Sequence, residues 1–189
     1  MSIVLASGSP RRRELLKMIG LEDFRIIADT SDEEISPGLS PEEQVCSLSL
    51  QKAQNVGRLC GADDIIIAAD TLVYLGDKPM GKPVSESDAV VMLAELSGRM
   101  HSVYTGVTLI KGNKQMTAAE RTDVYFRDVS ENEIAAYVKT GEPMDKAGSY
   151  AAQDRAAIFI ERIDGEFFNV MGLPLCRLVT MLKEFGVIL

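Results

Sequence analysis

The sequence of 189 residues predicts an α/β fold built on a mixed β-sheet. Helical and strand-like segments alternate along the chain, which is typical of this class. Residues 65–75 are apolar enough to form a central strand that is buried on both faces. The dipeptides Gly112-Asn113 and Asp164-Gly165 each separate two β-rich segments. Such dipeptides favour hairpins, so the sheet should contain antiparallel as well as parallel pairs.

The first half of the chain carries clear signals for where its helices begin. Ser9, Ser40 and Ser85 are of the residue type that caps helix N-termini, and the first two are followed by proline, which suits the first helical position. Ser40 also belongs to a capping box, because Glu43 stands three residues later. We therefore predict strands at residues 3–6, 24–28 and 65–75, and helices at residues 10–19, 41–61 and 86–96.

The second half is predicted to contain two hairpins and two helices. The first hairpin joins strands at residues 103–111 and 115–127, and the second joins strands at residues 157–163 and 166–170. A capping box at Ser130 begins a helix that Gly141 ends, and residues 173–185 form the closing helix. The sequence shows neither an internal repeat nor a linker, so we expect residues 1–189 to form a single domain.

Composition and charge exclude several classes of function. The chain has 20 basic and 28 acidic residues, a net charge of −8, which argues against a general nucleic-acid-binding protein. Its only histidine, His101, rules out a multi-histidine zinc site and is expected to be structural. The cysteines form no CxxC motif, and no apolar run approaches about 18 residues. These features predict reduced thiols, no membrane segment and a cytoplasmic location.

The segment between the first strand and the first helix is a candidate phosphate-binding site. Ser7-Gly8-Ser9-Pro10 is followed directly by Arg11 and Arg12. Free N–H groups at a helix N-terminus attract anions, and guanidinium groups bind phosphate with paired donors. An ordinary helix start with solvated arginines accounts for the same pattern equally well.

Asp70 is the most informative acidic residue, because it lies inside an apolar strand. A buried carboxylate must be paired, hydrated or bound to a metal. Further apolar residues follow Asp70 and Thr71, so the strand does not simply end there. We therefore favour a functional role for Asp70, either holding Mg²⁺ or activating water, over that of a strand terminus.

Other polar residues give weaker signals when each is considered alone. Lys52, Lys82 and Lys146 are individually more typical of solvated surface lysines. The acidic run that contains Glu33 is typical of a solvated loop, although it can supply a second metal carboxylate. Gln153 carries an amide that can pair with the edge of a base through one donor and one acceptor.

Together, these motifs resemble those of the Maf family of nucleoside triphosphate pyrophosphatases. The matching segments run through the whole chain: LASGSPRR at residues 5–12, ADT at 69–71, GKP at 81–83, LSGR at 96–99, EPMDKAG at 142–148 and VMGLP at 170–174. The resemblance implies an α/β fold with a long, mixed, twisted sheet, flanking helices and two lobes around a cleft, similar to inosine triphosphate pyrophosphatases. It also implies hydrolysis of a nucleoside triphosphate substrate to the monophosphate and pyrophosphate, with Mg²⁺ or Mn²⁺.

The resemblance also implies roles for individual residues. Phosphate contacts fall on Ser7, Arg11, Arg12, Lys52 and Lys82, metal binding on Glu33 and Asp70, and general-base action on Asp70. Thr71 and Gln153 resemble the branch of the family that acts on dTTP and UTP. The segment Tyr150-Ala151-Ala152-Gln153 keeps this glutamine but departs from the commoner Tyr-Gly-Ile-Gln. Homodimers are usual in the family.

Two other functions stand as alternatives. One is a pyrophosphatase of modified purine nucleotides such as 7-methyl-GTP, which a panel of nucleoside triphosphates distinguishes from the pyrimidine enzyme. The other is a nucleotide-binding regulator of cell division without catalysis. The presence of Glu33, Asp70, Lys52 and Lys82 argues against a regulator, because mere binding does not require a metal carboxylate inside an apolar strand.

Overall fold

A computed structural model of the chain describes residues 2–31 and 38–189. The strands in this part are β1 (Ile3–Leu5), β2 (Phe24–Ile26), β3 (Ile65–Leu75), β4 (Lys78–Met80), β5 (Met100–Lys111), β6 (Lys114–Phe126) and β7 (Ile160–Asp164). The helices are α1 (Pro10–Met18), α2 (Pro41–Gly57), α3 (Glu86–Leu96), α4 (Glu131–Val138), α5 (Phe167–Val170) and α6 (Leu175–Glu184). Short 3₁₀ segments occupy Glu142–Asp145, Ala147–Ser149 and Arg155–Phe159.

The strands form one mixed sheet in the order β2-β1-β3-β5-β6-β7, with β4 paired to β3. β1 is parallel to β2 and β3, so that Leu5 lies opposite both Ile26 and Ile67. β4 runs antiparallel to β3, and β7 runs antiparallel to β6. The predicted mixed sheet is therefore confirmed. The hairpin predicted around Gly112-Asn113 is also confirmed, because β5 and β6 are neighbours joined by these residues.

The chain divides into two compact units, in line with the two lobes expected. The first unit comprises Met1–Asp70, Thr105–Glu120 and Gly172–Leu189. The second unit comprises Thr71–Tyr104 and Arg121–Met171. The long strands β3, β5 and β6 contribute residues to both units.

In the first unit, an apolar core joins the strands to α2. It contains Val4, Ala6, Ile66 and Ala68 from the first and third strand segments, with Ala53 and Val56 from the helix. Gly106 on β5 determines how closely α2 approaches the sheet. A Cβ at this position would lie 2.0 Å from the carbonyl oxygen of Val45, so only glycine permits the contact between the strand and the helix backbone.

In the second unit, the core is rich in aromatic side chains. The Phe126 ring lies 4.9 Å from the Tyr150 ring, and the Tyr137 ring lies 5.4 Å from the Phe159 ring. Leu93 of α3 is also part of this core and is fully buried. Edge-to-face ring packing of this kind contributes roughly 0.5–1.5 kcal/mol per pair beyond the burial of apolar area.

The helix starts predicted from the sequence are confirmed. Ser40 and Ser130 each form a reciprocal capping box with the glutamate three residues later, Glu43 and Glu133. The Ser85 hydroxyl accepts a hydrogen bond from the Asp88 N–H at 3.1 Å. Local caps satisfy N–H groups that the helix itself cannot pair, so they mark helix starts reliably.

The hairpin predicted around Asp164-Gly165 is wrong. Residues before β7 form a 3₁₀ segment, and the residues after Gly165 form α5 in place of a strand. β7 pairs with β6 instead, with Asp164 opposite Asp123 and Ile163 opposite Val124. The hydrogen-bonding partner of this strand therefore comes from a distant part of the chain.

Side-chain hydrogen bonds hold the segment after Gly165. Thr122 Oγ1 donates to the carbonyl oxygen of Glu166 at 3.0 Å. The buried Asn169 donates from Nδ2 to the carbonyl oxygen of Val103 at 3.0 Å. These contacts fix residues 166–170 without a strand ladder, which explains why an apolar segment suited to a strand coils into a helical turn.

Two expectations from composition can be compared with the described residues. Cys46, Cys60 and Cys176 are reduced thiols, as predicted. Within residues 2–31 and 38–189, no helix combines the length and the apolar character needed to cross a membrane.

Candidate active site

Ser7, which follows β1, is the centre of a small hydrogen-bonded cluster in the first unit. Its side-chain oxygen accepts hydrogen bonds from the Ser9 backbone N–H at 3.3 Å and from Arg12 Nη1 at 3.2 Å. Arg12 Nε donates to the carbonyl oxygen of Gly172 at 2.7 Å. The guanidinium group is thereby held beside the Ser7 hydroxyl, in the segment that the sequence predicts to bind phosphate.

The first turn of α1 is suited to an anion. Pro10 occupies its first position and Ser9 its N-cap, as predicted, but the Ser9 hydroxyl makes no capping hydrogen bond. No acidic residue lies in this turn. Arg11 is half-buried and has no hydrogen-bond or ion-pair partner within residues 2–31 and 38–189. The positive end of the helix dipole therefore faces no competing carboxylate in this turn.

Asp70 lies in the part of β3 that belongs to the first unit and is 7% exposed. Its Oδ1 accepts a hydrogen bond from Lys52 Nζ in an ion pair, in which the side chains of Asp70 and Lys52 are 10% and 15% exposed. The prediction that this acid has a partner is confirmed. The interpretation of Lys52 as a solvated surface lysine is wrong, because both members of the pair are largely removed from water.

Lys52 reaches Asp70 because of its position on α2. The buried residues of this helix recur every three or four positions: Val45, Leu48, Ser49, Ala53 and Val56. Lys52 follows Leu48 by four residues and therefore lies on the same face. This spacing is visible in the sequence and is the signal that identifies Lys52 as a buried lysine.

The register of β1 and β3 places Asp70, in the middle of β3, just beyond the carboxyl end of β1, which Ser7 also follows. Leu5 lies opposite Ile67, and the Ala6 N–H donates to the Ile67 carbonyl oxygen at 2.8 Å. Ser7 and Asp70 follow these paired residues by two and three positions. The backbone positions of the Ser7–Arg12 cluster and of the Lys52–Asp70 pair thus both follow the paired residues of β1 and β3 in the first unit.

Of the two predicted metal ligands, Asp70 is described and Glu33 lies outside the described residues. Residues 2–31 and 38–189 contain no group of three or more histidine, cysteine, aspartate or glutamate side chains that could hold a metal ion. Mg²⁺ at nucleotide-hydrolysing sites is commonly held by one or two carboxylates together with phosphates of the substrate. The buried Asp70 fits that kind of site.

Thr71 and Lys82 belong to the second unit. Thr71 directly follows Asp70 along β3 and is half-buried, whereas Lys82 follows β4 and is exposed. The carbonyl oxygen of Gly81 accepts a hydrogen bond from the Gly148 N–H at 3.0 Å, which fixes the backbone next to Lys82. The structure therefore gives Lys82 a defined backbone position but leaves its ammonium group in solvent.

Lys146 has an environment that sequence reasoning missed. It was expected on the surface, but its side chain is 12% exposed and forms an ion pair with Asp145. Nearby, Gly148 has a φ of +70°, and a Cβ there would lie 3.1 Å from Val73 Cγ1. This close packing of the segment against β3 accounts for the burial of the lysine stem.

Gln153 lies in a tight turn over residues 151–154. The Asp154 N–H donates to the Ala151 carbonyl oxygen at 3.2 Å, and Ala151 and Ala152 are buried. Gln153 Nε2 donates to Asp154 Oδ2 at 3.1 Å. The Gln153 Oε1 atom is buried and has no hydrogen-bond partner in the described part of the chain. The side chain therefore presents an acceptor that a ligand can satisfy.

Buried tyrosines and His101 hold the start of this turn. His101 Nε2 and Tyr150 Oη are joined by a hydrogen bond of 2.7 Å. Tyr137 Oη donates to Glu142 Oε1 at 3.0 Å and accepts a hydrogen bond from the Ala151 backbone. The backbone on which Gln153 stands is therefore tied to the core of the second unit.

Burial determines the charge state of these groups. It lowers the pKa of His101 to about 4, while the nearby Asp123 carboxylate acts in the opposite direction. Burial also raises the pKa of Tyr150 and of Tyr137, in the latter case with the help of Glu142. At neutral pH the three side chains are therefore uncharged, and His101, which is fully buried, agrees with the structural role expected for it.

Comparisons with known proteins agree with the resemblance. A family model described as Maf-like protein matches residues 2–185. Proteins named dTTP/UTP pyrophosphatase from Bacillus cereus and Bacillus thuringiensis are each 47% identical to the chain over 185 residues, which cover 98% of the chain and 96% of the relative. The solved Ham1 protein of Staphylococcus aureus has a similar fold, with a TM-score of 0.53 and 13% identity over 99% of this chain and 100% of that one.

Proposed function

Because the chain belongs to the Maf-like protein family, we propose that it hydrolyses dTTP and UTP to the monophosphate and pyrophosphate. The observation that carries this proposal is the 47% identity, across nearly the whole chain, to relatives named dTTP/UTP pyrophosphatase. The Lys52–Asp70 ion pair and the hydrogen bond between Arg12 and Ser7 support it, because these groups suit a metal-assisted attack on a phosphate ester. We also propose that residues 1–189 act as one Maf-like domain.

Binding of the triphosphate falls to the positive groups of the first unit. Arg12 is already oriented by its hydrogen bonds to Ser7 and Gly172, so little ordering remains when a phosphate binds. Arg11 and the N-terminus of α1 supply further N–H donors that face no competing carboxylate in the first turn of α1. These donors also stabilise the negative charge that grows on the phosphoryl oxygens during the reaction.

Asp70 serves as the general base. Lys52 holds its Oδ1 atom, so that Oδ2 is left to accept a proton from a water molecule. The water oxygen forms a bond to the α-phosphorus, the bond from this phosphorus to the bridging oxygen breaks, and pyrophosphate leaves with that oxygen. No covalent nucleophile from the protein is needed.

A divalent cation, Mg²⁺ or Mn²⁺, would be held by Asp70 and Glu33. When bound, it would neutralise charge on the triphosphate. The protein's own contribution is to orient the Asp70 carboxylate through its ion pair with the ammonium group of Lys52.

Base recognition falls to Thr71 and Gln153, and Lys82 contacts the phosphates. The buried Oε1 of Gln153 supports this assignment, because it is an acceptor without a hydrogen-bond partner in the described residues. Uracil and thymine offer an N3–H donor that matches it.

We further propose that the protein is a cytoplasmic homodimer. The reduced thiols of all three cysteines support this location.

The test is a screen of nucleoside triphosphates with added Mg²⁺ or Mn²⁺, in which pyrophosphate and nucleotide products are measured by chromatography. We expect UMP and pyrophosphate from UTP, and Asp70→Asn should lower the rate by roughly 10²-fold or more without unfolding the protein. Asp77→Asn, at an exposed turn, is the matched control and should stay active. Release of UDP as the first product, or preference for a modified purine nucleotide, would contradict the proposal, and binding without turnover would indicate the regulator.

A further inference from the structure

The backbone that carries the Gln153 amide is fixed at both ends. Before the turn, Tyr150 is bonded to His101 at 2.7 Å. After the turn, the Asp154 N–H donates to the Ala151 carbonyl oxygen at 3.2 Å, and the Asp154 carbonyl oxygen accepts from the Ala157 N–H at 3.0 Å. The position of the Gln153 Cα is therefore set by the fold, and only the orientation of its side chain needs a further cause.

Asp154 supplies that cause. It is the N-cap of the 3₁₀ segment Arg155–Phe159, but its carboxylate makes no capping hydrogen bond. Its Oδ2 accepts a hydrogen bond from Gln153 Nε2 at 3.1 Å instead. Because an ionised carboxylate can only accept hydrogen bonds, the amide NH₂ group must face Asp154, and Oε1 must face away from it. That Oε1 atom is buried and has no hydrogen-bond partner among the described residues.

We propose that Asp154 is a positioning residue that makes the enzyme prefer uracil and thymine to cytosine by fixing the orientation of the Gln153 amide. This inference rests on the proposed function, in which Gln153 contacts the base. With Oε1 as acceptor and the second Nε2 hydrogen as donor, Gln153 is complementary to N3–H and O4 of uracil or thymine. Cytosine presents an N3 acceptor and an N4 amino donor, so each of its groups would face a group of the same kind.

A glutamine that could rotate its amide by half a turn would accept cytosine as well as uracil. The carboxylate of Asp154 prevents this rotation, because a reversed amide would place Oε1 against Oδ2. Asparagine at position 154 removes the restriction, since its own amide can present either an oxygen or an NH₂ group to Gln153. The exchange keeps the size of the side chain, and Asp154 is exposed, so the fold should tolerate it.

The experiment measures kcat/KM for UTP, CTP and GTP with the full-length protein and its Asp154→Asn variant. We expect the ratio of UTP to CTP efficiency to fall by about ten-fold or more, mainly through a gain on CTP, because two unpaired polar contacts are relieved. The ratio of UTP to GTP should stay the same, since pocket size excludes purines. Asp154→Glu, which keeps the carboxylate, should retain the wild-type preference, and Asp77→Asn is the control for removal of an exposed charge.

A double variant shows whether Asp154 acts through Gln153. In a Gln153→Ala background, Asp154→Asn should leave the ratio of UTP to CTP efficiency unchanged, because no amide remains to be oriented. An active wild-type enzyme whose ratio changes by less than about twofold on Asp154→Asn overturns this inference alone, since the loss of an orienting hydrogen bond is expected to exceed that. A wild-type protein that releases no pyrophosphate from UTP or dTTP overturns the proposed function, and the inference falls with it.

Discussion

The Lys52–Asp70 ion pair allows a quantitative test of the site, through the substitution Lys52→Met. Methionine keeps the apolar stem of the lysine and removes its charge. The side chains of Asp70 and Lys52 are 10% and 15% exposed, so the variant leaves a buried carboxylate without this cation. Removing one partner of a buried pair typically costs about 3–5 kcal/mol. We therefore expect Lys52→Met to lower the free energy of unfolding by about this amount.

The chain offers a matched control for this measurement. Lys78 and Glu95 also form a lysine–carboxylate pair, at 2.6 Å, but their side chains are 59% and 33% exposed. Exposed pairs contribute at most about 1 kcal/mol, so Lys78→Met should change stability only slightly. Urea denaturation followed by circular dichroism measures both variants under the same conditions.

The activity of the same variants separates stability from function. Lys52→Met should lower kcat/KM for UTP by roughly 10²-fold or more, because it removes a charge that stabilises the phosphoryl oxygens. The double variant Lys52→Met/Asp70→Asn should recover most of the lost stability, since no buried charge remains, but none of the activity. If Lys52→Met costs no more stability than Lys78→Met, the pair is solvated and the reasoning about its burial is refuted.

Three further predictions concern the base, the packing of α2 and the response to pH. Gln153→Ala should lower kcat/KM for UTP by roughly ten- to a hundred-fold and for GTP much less; an unchanged ratio of the two efficiencies would show that Gln153 does not contact the base. Gly106→Ala places a Cβ 2.0 Å from the α2 backbone and should lower the free energy of unfolding, measured in urea, by at least about 1–3 kcal/mol. Gly57→Ala is the control and should not destabilise the protein, because beyond its chain neighbours and its own helix backbone the new Cβ meets no atom of the described residues within 4 Å. Burial lowers the pKa of His101 from 6.5 to about 4, so between these pH values the unfolded chain binds a proton that the folded protein does not bind. The free energy of unfolding, which is at its full value above pH 6.5, should therefore decrease by roughly 3 kcal/mol as the pH falls to 4. Since the chain has one histidine, its ¹H NMR resonance reports this titration directly, and a midpoint near 6.5 in the folded protein would contradict the prediction.

The positions of most helices and strands followed from local chemistry. Serine caps, capping boxes, prolines and glycine stops act within a few residues, so the starts of α2, α3 and α4 were visible before any tertiary contact was known. The sequence predicts the end of α2 at residue 61, whereas the helix ends at Gly57, and it does not predict β4. Helix ends and three-residue strands depend on packing more than on local propensity, which explains both differences.

The sequence by itself determined the fold class, the family and the acid that needs a partner. A carboxylate within the apolar residues of β3 requires compensation wherever it is placed, so the need of Asp70 for a partner follows from the composition of one strand. The spacing of the apolar residues on α2 also indicates that Lys52 lies on the buried face of this helix, although each lysine taken alone suggests a surface position.

Only the tertiary structure decided which residues meet across long separations in the chain. β7 pairs with the edge of β6 and not with the segment after Gly165. That segment is held instead by the hydrogen bonds of the Thr122 and Asn169 side chains. Likewise, no motif singles out Asp154, and the role proposed for it rests on one hydrogen bond from Gln153. Hydrogen bonds and burial depend on neighbours that are distant in sequence, whereas caps, turns and periodicity depend on neighbours a few residues away.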